Sequence, residues 1–186
     1  MIDRRRALLL APFGVAVAAG TGFYTILGRM RTGTFDPHEV PSQLINQPAP
    51  AFAVPGQDPG QGFASTDLKS IGLRGPILLN FFASWCVPCI VEHPELMALS
   101  REGLAVWGVA YKDQPAAAAA FIARHGNPYT RIGRDPSGTV AIDFGLYGVP
   151  ESYLIDRSGI VRWRNPGPLT PAIVDERLRP ALRALA

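Results

Sequence analysis

Ile77-Leu78-Leu79-Asn80-Phe81-Phe82-Ala83-Ser84-Trp85-Cys86-Val87-Pro88-Cys89 is the stretch on which the reading of this chain turns. Its first six residues form an apolar run too short for a helix and followed by a turn, which reads as a fully buried central strand. From Val87 to Ser100 the pattern is helical, with Pro94 inside it, where a kink is expected. Cys86 and Cys89, the chain's only two cysteines, therefore sit at a strand-to-helix junction. A bond between them closes a very small loop, and loop-closure stabilisation grows with the residues enclosed. The pair is placed to react rather than to brace, which points to thiol–disulfide exchange.

Other uses of the pair are weighed by ligand count. A structural zinc site wants four ligands, usually from two cysteine or histidine clusters. Here the further soft ligands are His38, His93 and His125, and none forms a spaced pair. Covalent haem attachment needs histidine directly after the second cysteine, and position 90 is Ile. No metal and no cofactor is expected.

The net charge of +3 is unevenly spread. Residues 1–31 carry five Arg and one Asp, and the remainder is close to neutral. No basic patch for nucleic acid is visible in the body. Arg4-Arg5-Arg6 precede an uncharged stretch from Ala7 to Gly28, closed by Arg29 and Arg31. As a helix that stretch spans roughly 33 Å, against a hydrocarbon core of about 30 Å. The arginine bias favours an N-terminus in the cytoplasm. The alternative is a cleaved signal peptide, since Ala16-Val17-Ala18 resembles a small-residue cleavage site. The apolar stretch runs on well past that point, which favours an uncleaved transmembrane anchor. Either way the remaining domain is exported to an oxidising compartment, where a partner must maintain the state of a lone CxxC.

Three segments are expected: an anchor over 1–31, an extended linker over 32–50 with Pro37, Pro41, Pro48 and Pro50, and a domain over 51–186. Pro55 to Gly62 reads as further loop. Leu104 to Ala110 reads as a second buried strand, and Gln114 to His125 as a helix with Pro115 in its first turn. Thr139 to Phe144 suggests a short helix. Ser152 to Ile155 and Ile160 to Arg164 read as a hairpin turning at Asp156 to Gly159, and Pro171 to Leu185 as a last helix. Strands alternating with helices and then a hairpin argue an α/β fold with a mixed central sheet flanked by helices.

With WCxxC after a buried strand, Pro94 five residues beyond Cys89, and Gly148-Val149-Pro150 before a strand, the chain resembles thioredoxin-like proteins. Within them it is similar to the membrane-anchored reductases of cytochrome c maturation, the DsbE/CcmG type. The narrower match rests on Asn80 to Cys89, Glu92-His93, Val109 to Asp113, Gly126 to Tyr129, Asp135 to Gly138 and Tyr147 to Asp156. These cover about residues 50–170 in order.

The resemblance and the chemistry together assign roles. Cys86, at a helix N-terminus that favours negative charge, is expected to be the attacking thiolate, and Cys89 the buried resolving thiol. Pro150 matches the family's cis-proline, which the resemblance sets against the disulfide with the Val149 backbone offered to an incoming peptide. The plainer reading is an ordinary loop proline before a strand.

Glu92, three residues beyond Cys89, lies on the same helix face. A carboxylate there raises a nearby thiol's pKa and can relay its proton; the plainer reading is a solvated helix acid. Glu151 is a weaker candidate of the same kind. Asn80 stands where many thioredoxins keep a buried Asp and, as an amide, is no proton acceptor. Trp85 and Tyr147 are expected to flank the substrate groove. Trp107, Trp163, Phe81 and Phe82 read as packing residues, and His93 as a helix-surface histidine.

The expected activity is that of a thiol–disulfide oxidoreductase on the periplasmic side of a bacterial inner membrane, acting as a reductant. The resemblance implies the CxxCH cysteines of apocytochrome c, or a mixed disulfide on haem-ligation proteins, as substrate, and a membrane thiol-reductant donor as the source of electrons. The alternatives are a related anchored reductase for another exported client and a copper-binding chaperone module using Cys86 and Cys89.

Overall fold

The computed structural model describes residues 14–25, 28, 43–56, 62–70 and 75–185. The chain divides into two compact units, Met1–Pro41 and Ser42–Ala186. In the first, residues 14–25 are helical, with the Thr21 and Thr25 hydroxyls donating to the carbonyls of Val17 and Gly22. Among the described residues no helix is long and apolar enough to cross a membrane. The rest of the expected span, residues 7–13 and 26–27, lies outside the described residues, as does the linker up to residue 42.

The second unit is built on the apolar run. Strand β3 (Ile77–Phe82) is buried at every position and occupies the centre of a five-stranded sheet ordered β5-β4-β3-β6-β7. Parallel strands need a crossover. Helix α2 (Val87–Arg101) carries the chain from β3 to β4 (Ala105–Tyr111), and α3 (Pro115–His125) carries it from β4 to β5 (Arg131–Asp135). Strand β6 (Glu151–Ile155) returns antiparallel on the other side of β3 and turns into β7 (Val161–Pro166). In that turn the Asp156 carboxylate accepts the Ser158 and Ile160 amides, and Gly159 takes φ +79°.

Alternation along β3 divides the core. Leu78, Asn80 and Phe82 face α2 and α3, where Cys86, Cys89, Leu96, Leu99 and Phe121 pack. Leu79 and Phe81 face the opposite layer, with Trp107, Phe144 and Tyr153. Trp107, Phe81 and Phe82 are thus buried packing residues, as expected.

Four features depart from the reading above. Residues 43–50, expected to be linker, are hydrogen-bonded to the β6–β7 hairpin: Asn46 N–H donates to the Val161 carbonyl and Ala49 N–H to that of Gly159. The loop expected over Pro55 to Gly62 is flanked by a small hairpin, β1 (Ala53–Val54) with β2 (Phe63–Ala64), preceding the one-turn α1 (Asp67–Ser70). Strand β5, Arg-Ile-Gly-Arg-Asp, was not expected at all; it pairs at the sheet edge, where its arginines reach outward to Asp67 and the Gly56 carbonyl. The last helix is not uniform. After α4 (Thr139–Asp143), the C-terminal segment runs as α5 (Pro171–Ile173), a π-helical stretch Val174–Leu178 and α6 (Arg179–Arg183). Pro180 has no N–H to continue the regular ladder, and the turn before it is wider, with the Arg179 amide on the Val174 carbonyl. Helix α2, by contrast, is continuous through Pro94.

Candidate active site

The site lies where β3 ends and α2 begins. Ala83 to Trp85 turn the chain, and Cys86 is the N-cap of α2. Cys86 and Cys89 are joined in a disulfide, and the Cys89 amide donates to Cys86 Sγ at 3.1 Å. A charge developing on Cys86 sulfur therefore meets a backbone donor and the positive end of a 15-residue helix. Both cysteines are buried.

Two loops frame the disulfide. The Val149–Pro150 peptide is cis, and the Val149 carbonyl oxygen lies 3.4 Å from Cys86 Sγ. Pro150 is buried and Val149 half-buried. On the other side Asp113 accepts the Ser84 amide at 2.6 Å and the Ser84 hydroxyl at 2.8 Å, tying the Trp-Cys turn to the β4–α3 loop. The Trp85 indole N–H adds a bond to the Lys112 carbonyl, and its ring leans toward Tyr111. Trp85, Val87, Ile90 and Val91 nevertheless remain exposed, as does Tyr147. Apolar side chains left in water beside a reactive bond form a surface suited to docking another protein.

Beneath the disulfide is a polar chain that is entirely buried. Glu92 Oε1 accepts from Asn80 Nδ2 at 2.8 Å, and Oε2 accepts the Leu169 amide at 2.9 Å. The same Asn80 Nδ2 reaches Ser152 Oγ at 3.1 Å, and the Tyr129 hydroxyl donates to Asn80 Oδ1 at 2.8 Å. Burial pushes the Glu92 carboxyl up to about 7, against the lowering effect of the Leu169 amide and the Asn80 side chain. Burial, and then the Glu92 carboxylate, hold the Tyr129 phenol well above its usual range. Glu92 is thus neither solvated nor a helix-start acid; it titrates near neutrality one helical turn from Cys89.

Glu151 is placed differently. It lies on the sheet face opposite to Ser152, where it forms a buried ion pair with Arg164 and accepts the Tyr153 hydroxyl at 2.6 Å. Its other oxygen faces the Tyr147 amide at 3.4 Å, and Arg164 stacks 4.9 Å from the Tyr147 ring. The expected kinship with Glu92 therefore fails: a carboxylate on the far face holds the Tyr147 loop rather than facing the cysteines. His93 is a second correction. It is buried, its Nε2 facing the Gly126 carbonyl at 2.9 Å and its ring against Phe121, and burial lowers its pKa.

Sequence reasoning missed the roles of Asp113, Tyr129, Ser152 and Arg164. For Arg164 a signal existed. It opposes Tyr153 across β6–β7, a diagonal step from Glu151, and opposite charges at such positions on one face attract. Among the described residues no three His, Cys, Asp or Glu side chains come together to hold a metal.

Comparison with known proteins places this geometry. The AhpC/TSA family model matches residues 45–164. Over 182 residues the chain is 38% identical to the thiol:disulfide interchange protein DsbE of Pseudomonas aeruginosa, covering 97% of this chain and 96% of that one. This chain belongs to the DsbE-type thiol:disulfide interchange proteins of the AhpC/TSA family. DsbE of Escherichia coli K12 is likewise 38% identical over 177 residues, covering 95% of this chain and 94% of its own. A solved structure described as a putative DsbE from Chlorobium tepidum superposes with TM-score 0.59 at 28% identity, covering 74% of this chain and 97% of that one. The DsbE-type fold is the thioredoxin-like one, and this DsbE-type chain is a thiol–disulfide oxidoreductase whose redox-active pair is Cys86–Cys89.

Proposed function

We propose that this oxidoreductase is a reductant of exported proteins, tethered by residues 1–31 to the bacterial inner membrane with its domain in the periplasm. Its substrates are the CxxCH cysteines of apocytochrome c, or a mixed disulfide on the haem-ligation proteins, and a membrane thiol-reductant donor recharges it. The observation that carries the reading is the main-chain edge beside the disulfide. Val149 offers its carbonyl against Cys86, where an extended cysteine-bearing peptide pairs with it while its disulfide approaches the sulfur.

In the proposed cycle the Cys86 thiolate attacks one sulfur of the substrate disulfide, and the other sulfur leaves as a thiolate. Cys89, deprotonated by Glu92, then attacks Cys86 Sγ, closing the Cys86–Cys89 bond and releasing the second substrate thiol. Two electrons pass to the substrate, and the donor restores the dithiol. Trp85, Val149, Pro150 and Tyr147 form the docking surface, and Glu151 supports it through Tyr147.

The test is the reduction potential of the full chain, equilibrated against glutathione and dithiothreitol buffers. A value well below the roughly −120 mV of a strong periplasmic oxidant is expected. A value near it makes the protein a disulfide-forming enzyme and overturns the reductant reading.

A further inference from the structure

The buried chain below the disulfide has a directional property. A carboxylate only accepts hydrogen bonds, whereas an amide group donates from one end and accepts at the other. For an ionised Glu92 to be satisfied, Asn80 must turn its NH2 toward it. The oxygen of Asn80 then faces the opposite way, toward Tyr129, whose hydroxyl donates to it at 2.8 Å. If the amide were reversed, its oxygen would confront the carboxylate, and only a protonated Glu92 would fit.

We infer that Tyr129 and Asn80 are positioning residues which couple the direction of one buried amide to the proton on Glu92. Tyr129 hydroxyl donation selects the amide orientation that receives the carboxylate, so Tyr129 acts on the cysteine chemistry without touching either sulfur. This rests on the proposed acid–base role of Glu92 and extends it by two residues.

The surroundings of Glu92 make the coupling specific. Strand β3 presents Asn80, β6 presents Ser152, the segment before β5 presents Tyr129, and the segment before α5 presents the Leu169 amide. On its own helix Cys89 is one turn away, and the neighbouring His93 is directed to the Gly126 carbonyl. Tyr129 itself is locked, with its ring stacked 4.8 Å from Phe82 and against Gly108, where a Cβ would strike the phenol ring at 2.9 Å. Its hydroxyl has little freedom to leave Asn80.

The experiment is an NMR titration of the Glu92 carboxyl carbon in the oxidised full chain, with and without Tyr129→Phe. Losing one hydrogen bond from the chain should raise the proton affinity of Glu92 about two- to tenfold. The break in the pH profile of the reduction potential should move with it. A folded Tyr129→Phe variant with an unmoved Glu92 titration overturns the inference. If that variant does not fold, the wild type decides: the Tyr129 ring carbon bearing the hydroxyl should shift with the Glu92 midpoint, and a flat signal overturns the coupling. A Glu92 titration that moves while the potential profile stays fixed supports the positioning of Glu92 and refutes its proton-transfer role.

Discussion

Sγ of Cys86 lies 3.4 Å from the main-chain oxygen of Val149, two segments sixty-three positions apart in sequence. One supplies the sulfur and the other a main-chain carbonyl beside it. The proposed exchange between the Cys86 thiolate and a substrate disulfide uses both, because an incoming chain held extended along that carbonyl would set one of its sulfurs in line for attack. The surrounding exposed side chains, Trp85, Val87 and Tyr147, add apolar area without demanding a particular partner sequence.

Cys86 caps the helix, whereas Cys89 is one turn inside it. Cys89→Ser should therefore accumulate mixed disulfides through Cys86, visible on non-reducing gels and lost on reduction. Cys86→Ser should trap none. Equal trapping by both variants would remove the assignment of attacker and resolver.

The folded state holds the proton of Glu92 more tightly than the unfolded chain, since its carboxyl is raised from 4.5 to about 7. Its contribution to stability is complete below about 4.5 and is lost as pH rises through about 7, an effect of about 3 kcal/mol. Glu92→Gln should flatten the decline in unfolding free energy across that window. It should also lower the Cys89 pKa and shift the reduction potential. Urea unfolding at several pH values and thiol alkylation rates measure the two effects.

Glu151 and Arg164 are both buried and paired. Glu151→Gln or Arg164→Met alone leaves a charge without its partner and should cost about 3–5 kcal/mol. The double variant should recover much of that loss. Chemical denaturation of the three variants tests this, and additive losses would mean the pair is not coupled.

Asp113 satisfies the Ser84 amide and hydroxyl together, and the Gln114 amide as well. Asp113→Ala should cost about 1–3 kcal/mol through unsatisfied donors and should slow exchange by loosening the Trp85–Cys86 turn. Asp113→Asn keeps one acceptor and should fall between. Unchanged exchange kinetics in Asp113→Ala would show that the turn is held by other contacts.

Much of the fold was legible because local pattern and tertiary role agree. Ile77 to Phe82 is apolar at every position but Asn80 because it lies between two layers, and the hairpin turning at Asp156 to Gly159 carries its own polar and glycine signals. Strand β5 was not legible. Its two arginines look like surface residues, and they are, but on an edge strand that β4 recruits. The docking of residues 43–50 was hidden for a related reason: prolines read as linker, while the bonds that dock Asn46 and Ala49 are made by backbone groups of a hairpin far along the chain.

The reactive pair, the strand that presents it and the helix that begins at it are readable in the residues alone, whereas the place of Pro150 opposite them came only from the family resemblance. The first three are local matters of residue type and spacing, settled within a few positions of each residue. The tertiary structure alone decided which of two acidic residues lies beneath the cysteines. Glu92 projects from α2 into the β3–β6 surface, while Glu151, adjacent to Pro150 and one residue from Ser152, leaves the strand on the opposite side. Strand alternation sends neighbours to different faces, and only the packing of the layers tells which face holds the sulfur.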